Sequence, residues 1–184
     1  MRELLRQVRH APERLLHPWR RRKALEALRA RARPKTLLVI CHGNICRSPV
    51  AAALLRRALA PSGVAVESAG LIGFNRPAPP DARAAAERHG IGLDEHRSRL
   101  VTADIARSAD LIVVMDPSQE RTIVERFGRR PVDILMLGDF DPLPVDTRTI
   151  RDPVNDDRPV FEQVYARIAR CVRELVLVLA EDGH

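Results

Sequence analysis

The chain has 184 residues, the size of one domain, with 31 Lys and Arg against 24 Asp and Glu and a formal charge of +7. Twelve of the basic and three of the acidic residues fall within residues 1–35, a local net charge of +9, which leaves residues 36–184 at −2. That asymmetry argues against a nucleic-acid-binding core, where positive charge spreads over the folded surface. No run of 18 apolar residues provides a membrane span, and the N-terminus lacks the apolar stretch of a signal peptide. Three cysteines make no disulfide framework, so a cytoplasmic, reducing setting is expected.

In chain order, Leu4, Leu5, Val8 and Ala11 keep helical spacing, and Trp19, Leu25 and Leu28 can line a second short helix, with Pro12 and Pro18 expected to interrupt the segment. Residues 1–35 thus read as a basic N-terminal extension, helical or disordered. After Arg33-Pro34-Lys35 short apolar runs alternate with longer periodic stretches, the pattern of a parallel sheet flanked by helices. It predicts strands at 36–40, 64–67, 110–115 and 132–137, and helices at 49–60, 81–90, 118–127 and 159–180. In the last helix Phe161, Val164, Ile168, Cys171, Leu175 and Val178 form one apolar stripe. The expected fold is an α/β three-layer sandwich, a four-stranded parallel sheet with helices on both faces and a phosphate loop after the first strand. Residues 138–157, with three prolines and six aspartates, form a long irregular stretch of the kind that carries function.

The chemistry gathers after the first strand, in Cys41-His42-Gly43-Asn44-Ile45-Cys46-Arg47-Ser48-Pro49. Ser48 fits the N-cap of the next helix and Pro49 its first position. A strand–loop–helix junction aims several backbone N–H groups and a positive helix end at one point, which suits a tetrahedral phosphate. The same dipoles stabilise the thiolate of a cysteine at the start of the loop. Arg47, six positions on, offers phosphate oxygens a bidentate fork, and Gly43 and Asn44 tolerate the left-handed backbone that turns consecutive amides inward. Cys-x5-Arg alone is a weak pattern in so arginine-rich a chain, and Cys41 read alone can be an ordinary buried cysteine. Gly43, Asn44, Ser48 and Pro49 between strand and helix favour the phosphate site.

This loop resembles that of the low-molecular-weight protein-tyrosine phosphatase family. The resemblance continues through Ser68-Ala69-Gly70, Pro79-Pro80-Asp81, His89-Gly90-Ile91, His96 with Arg97-Ser98-Arg99, residues 110–116 and 137–142, and Asp152-Pro153 followed at the family's spacing by Phe161-Glu162-Gln163-Val164-Tyr165. It covers residues 36–184 and implies a catalytic domain there.

The resemblance implies hydrolysis of phosphomonoesters, protein phosphotyrosine foremost, in two steps with neither metal nor other cofactor. Cys41 attacks phosphorus to give a phosphocysteine, and Asp152 protonates the leaving oxygen and then serves as base for the water that releases phosphate. Arg47 holds the equatorial oxygens. His42, Gly43, Asn44, Ile45, Cys46 and Ser48 complete the substrate-binding loop, with Ser48 also able to donate to the Cys41 sulfur. Ser68 and His96 are expected behind it as loop supports, and Asn44 as a brace. Asp141-Pro142 is read as a structural turn. Tyrosine-directed members usually carry an aromatic residue after the acid–proline pair, where this chain has Val154 and Asn155. Phe74 falls where the family places the opposite wall. An adjacent second cysteine, here Cys46, can trap the nucleophile as a disulfide.

Two other functions compete: a pseudophosphatase module that binds phosphorylated partners without turnover, and an arsenate reductase. Intact Cys41, Arg47 and Asp152 speak against the first. The second needs two further relay cysteines where only Cys171 remains. For the basic arm three roles are open: a disordered or solvated segment, contact with a membrane surface or polyanion, and a docking helix for a partner.

Overall fold

The computed structural model describes residues 2–180, with side chains from Glu13 onward. The apolar run after Lys35 forms β1 (Thr36–Cys41), and it pairs on both sides: with β2 (Ala65–Gly70), and with β3 (Leu111–Val114), beyond which lies β4 (Ile134–Met136). The order is β2-β1-β3-β4 and every pairing is parallel, with Cys41 opposite Gly70 and Ile40 opposite Val114. Strands buried on both faces need apolar residues at every position, and β3 is buried throughout. Leu37, Val39, Leu111 and Val113 face α2 (Arg47–Leu59), α3 (Pro80–Glu87) and α6 (Arg158–Ala180). Leu38, Ile40, Ile112 and Val114 face α4 (Ala103–Ser108) and α5 (Pro117–Phe127). The three-layer sandwich expected from the pattern is therefore present. All six residues of the α6 stripe are buried.

Chain connections leave β1 towards β2 on one side, and its other neighbour is β3. The C-terminal ends of β1 and β3 consequently flank a switch point, where α/β sheets bind ligands. Two extra turns of tight helix, 131–133 and 137–140, bracket β4 and shorten it to three residues.

The N-terminal segment departs from its expected form. Pro12 and Pro18 do not divide it: residues 2–29 make one helix, α1 (Arg2–Arg29). An interior proline costs about 3 kcal/mol, and tertiary contacts offset it here. Leu28 is buried in the main core with Ala24 and Leu25 packed beside it, Arg21 is paired with Glu174 of α6, and Arg31 with Asp133. Leu15, Leu16 and Trp19 remain exposed. Among the described residues no helix is long and apolar enough to cross a membrane.

Candidate active site

The 41–47 loop closes at the C-terminal end of β1 and is tied down by its neighbours. Leu71 N–H donates to the His42 carbonyl (2.8 Å), as does Ile72 N–H (3.0 Å). Asn44 sits at φ 52°, in the left-handed region, where a short amide side chain can brace the turn. Fully buried, it does so in three directions. Its Nδ2 donates to Ser48 Oγ (2.9 Å) and Ser68 Oγ (3.0 Å), and its Oδ1 accepts from Arg99 N–H (3.0 Å). The His96 ring donates from Nε2 to the Asn44 carbonyl at 2.6 Å. Gly70 lies against the loop so closely that a Cβ there would stand 2.9 Å from Asn44 N and from Gly43 C.

The Cys41 sulfur accepts from Asn44 N–H at 3.2 Å and shares a hydrogen bond with the Ser48 hydroxyl at 3.0 Å. Ser48 Oγ also accepts from Asn44 Nδ2, so the hydroxyl links the sulfur to the Asn44 side chain. Ser48 is accordingly not the helix cap. The cap position of α2 is Cys46, without a side-chain bond, and the helix starts at Arg47, two residues before the expected start. Burial pushes the Cys46 thiol up to about 12, with Cys41 and Asp152 nearby adding to the rise. The Tyr165 hydroxyl donates to the Cys46 carbonyl (3.2 Å), fixing the loop from α6.

Arg47 is 3% exposed. One nitrogen donates to the Ile150 carbonyl (3.1 Å), the other pairs with Asp152, and Asp116 at the end of β3 stands 3.7 Å away. Its Nε–H is buried and has no acceptor among the described residues. Asp152 comes from the irregular stretch before α6, and its Oδ1 accepts from Val154 N–H at 3.3 Å.

Cys41, His42, Gly43, Ile45, Cys46, Asp152 and Val154 thus share one cavity of about 240 Å³, which Ile72, Arg76 and Asn155 complete. Asn44, Ser48, Ser68 and His96 stand behind the loop, and Arg47 adjoins the cavity through Asp152. Phe74 is placed differently: it is 74% exposed and does not line the cavity, whose wall on that side is Ile72 and Arg76. Gly73, at φ 77°, turns the chain there and sends the next side chain outward. Asp141 also faces away, towards Arg167 and Arg170. Sequence reasoning missed Ile72, Arg76 and Asp116. Asp116 carried a readable signal, an Asp-Pro pair opening a helix directly after a strand, and its side chain does cap α5.

A parallel α/β sheet, with an anion-shaped loop at its switch point and a cysteine, an arginine and an aspartate converging there, defines a cysteine-dependent phosphatase of the α/β class. The chain belongs to the family described as low molecular weight phosphotyrosine protein phosphatase, whose model matches residues 36–184. It is 41% identical over 139 residues to a probable low molecular weight protein-tyrosine-phosphatase, EpsP, of Ralstonia solanacearum, covering 75% of this chain and 91% of that protein. The human low molecular weight phosphotyrosine protein phosphatase is 33% identical over 148 residues, 76% of this chain and 92% of that one. Among solved structures, the tyrosine phosphatase amsI of Erwinia amylovora superposes with a TM-score of 0.72 at 30% identity, covering 80% and 95% of the two chains. The YwlE arginine phosphatase, captured with a phosphorylated active-site serine, gives 0.71 at 28%, covering 80% and 97%.

Proposed function

We propose that the protein hydrolyses phosphotyrosine in proteins through a phosphocysteine formed on Cys41. The observation that carries this reading is the seat of the Cys41 sulfur, within hydrogen-bond distance of the Asn44 N–H and the Ser48 hydroxyl, in the cavity that Asp152 also lines. The thiolate attacks phosphorus while the loop amides and Arg47 take the charge that builds on the equatorial oxygens. A phosphate dianion outcompetes a single carboxylate for the Arg47 guanidinium, so substrate entry frees Asp152 from its pair. Asp152, on the cavity wall, takes up a proton from solvent beside the bound dianion and delivers it to the leaving phenolate oxygen. In the second step it takes a proton from the water that attacks the phosphocysteine, and Cys41 leaves as thiolate.

Phosphotyrosine fits the aliphatic walls made by Ile45, Ile72 and Val154, which accept a flat ring. The test is hydrolysis of p-nitrophenyl phosphate and of a phosphotyrosine peptide by the protein and by Cys41→Ser. Turnover of both by the wild type and of neither by the variant is expected. Full activity in Cys41→Ser overturns the mechanism, and turnover of phosphoarginine in preference to phosphotyrosine overturns the substrate.

A further inference from the structure

Helix α1 precedes the family match, yet it grips the loop that ends in Asp152. His17, on its inner face and 4% exposed, donates Nε2–H to the Asp141 carbonyl at 2.8 Å. The fully buried Asp141 carboxylate accepts from Arg170 (2.7 and 3.0 Å) and from Arg167 Nε (2.9 Å). The remaining nitrogens of Arg167 hold two carbonyls of the acid loop, Thr149 at 2.8 Å and Thr147 at 2.7 Å. Gly138 lies close against the same stretch: a Cβ there would stand 1.8 Å from the Arg148 carbonyl oxygen and 3.3 Å from an Arg167 guanidinium nitrogen. Residues 147–149 are therefore held by Arg167 and packed directly against the 138 backbone. The next residue is fixed as well: Ile150 N–H donates to the Met115 carbonyl (2.8 Å) and its own carbonyl accepts from Arg47. A second contact from α1 reaches the same stretch, Arg14 to Asp146 at 3.3 Å.

We propose that α1 is a positioning element for the proton donor: His17, through Asp141 and Arg167, sets the height of the 147–152 segment and with it the reach of Asp152 to the leaving oxygen. The proposal rests on Asp152 acting as that donor. Contiguous, fully bonded side chains are the physical means by which one element fixes another. Proton transfer demands heavy-atom separations of about 2.6–3.2 Å, and displacement by about 1 Å can cost a hundredfold in rate. A loop without regular structure holds such a position only when its backbone groups are bonded to rigid elements.

A purely structural role for His17 would lower activity on every substrate alike, whereas loss of acid positioning depends on the leaving group. Phenyl phosphate expels a strongly basic phenolate and needs the proton; dinitrophenyl phosphate expels a weakly basic one and hardly does. In the full-length protein, His17→Asn keeps polarity but falls a bond short of Asp141, while His17→Gln sets an amide N–H where Nε2 stands. His17→Asn should lower kcat/KM for phenyl phosphate about three- to tenfold and that for dinitrophenyl phosphate by less than about twofold, with His17→Gln restoring both. Arg167→Lys, which keeps the charge beside Asp141 but cannot hold both carbonyls, should give the same signature and decides the matter if His17→Asn does not fold. Equal loss on the two substrates, or none, overturns the proposal. Asp152→Ala runs alongside. If it too leaves the ratio unchanged, the assignment of the proton donor has failed; if it alone shifts the ratio, the brace has.

Discussion

The guanidinium of Arg47 is paired with the carboxylate of Asp152, and the same arginine holds the Ile150 carbonyl two residues earlier. The group proposed to bind phosphate and the group proposed to deliver the proton therefore compete for each other. Removing the carboxylate has two effects of opposite sign. Asp152→Ala should lower kcat by about two to four powers of ten, the usual size of a general-acid contribution. Inorganic phosphate should nevertheless inhibit the variant at least as tightly as the wild type, because Arg47 no longer has to give up a partner. Weaker phosphate binding in the variant would show that the pair helps the site rather than competing with it.

Gly70 gives a second prediction, at a residue that touches no substrate. A methyl group there meets the backbone of Gly43 and Asn44 at 2.9 Å, closer than real contacts allow, so Gly70→Ala must push the phosphate loop outward. Activity should fall about a hundredfold through misplacement of the loop amides. Far-ultraviolet circular dichroism should stay unchanged, since β2 ends at this residue. Wild-type kcat/KM in Gly70→Ala would mean that the loop tolerates the shift.

Much of this architecture is legible in the sequence because strong local signals agree with the packing. The apolar run 37–40 and the stripe from Phe161 to Val178 each bury what their period marks as buried. Helix α4, six residues long, escapes because so short a segment shows no period, and only the Thr102 cap announces it. The continuity of α1 through two prolines escapes for the opposite reason, since local propensity is overridden by contacts with α6 and Asp141 that no window of sequence contains. In the site, the loop residues are readable from type and spacing, and Asp152 only through its resemblance to the family's acid–proline pair. The far wall is not, because whether Phe74 or Ile72 faces the cavity turns on one left-handed glycine, Gly73, between them.

Asp141 provides a prediction about stability. Burial alone would raise its pKa, but hydrogen bonds from Arg170 and Leu143 N–H, with Arg167 close by, hold the carboxyl below the usual aspartate range. A depressed folded-state pKa contributes stability above the unfolded value, and that stability is lost as the pH falls through the folded one. Asp141→Asn should thus be strongly destabilised near neutrality, by about 3–5 kcal/mol as for other buried pairs broken on one side. The gap in Tm between variant and wild type should narrow as the pH drops below about 4. A gap that is constant from neutral to acid pH would mean that the lost contribution is not the ionised carboxylate.

Cys41 and Cys46 line one cavity as free thiols. With the Cys46 thiol raised to about 12, it is protonated at neutral pH and is not the first sulfur to react with peroxide. Oxidation of Cys41 to the sulfenic acid followed by condensation with Cys46, with loss of water, gives a disulfide that dithiothreitol reverses. Mass spectrometry of the peroxide-treated protein should find the 41–46 crosslink. Sulfinic acid on Cys41 without the crosslink would sink the idea. In Cys46→Ser, inactivation by peroxide should become irreversible.

Substrate discrimination rests on residue 154. Val154, directly after Asp152-Pro153, lines the cavity at 36% exposure and has Ile72 and Arg76 for company rather than an aromatic ring. An aromatic pair contributes about 0.5–1.5 kcal/mol beyond the area it buries, so its absence weakens selection for a phenyl ring without abolishing turnover. The preference for aryl over alkyl phosphates should accordingly be narrow. Val154→Tyr would place a ring beside the substrate and bind ground and transition states alike, so KM for aryl phosphates should fall severalfold with little change in kcat. Alkyl phosphates, with no ring to stack, should be handled as before. If Val154→Tyr leaves aryl phosphate kinetics unchanged, the substrate ring does not lie against residue 154, and the selecting wall must be the opposite one at Ile72 and Arg76.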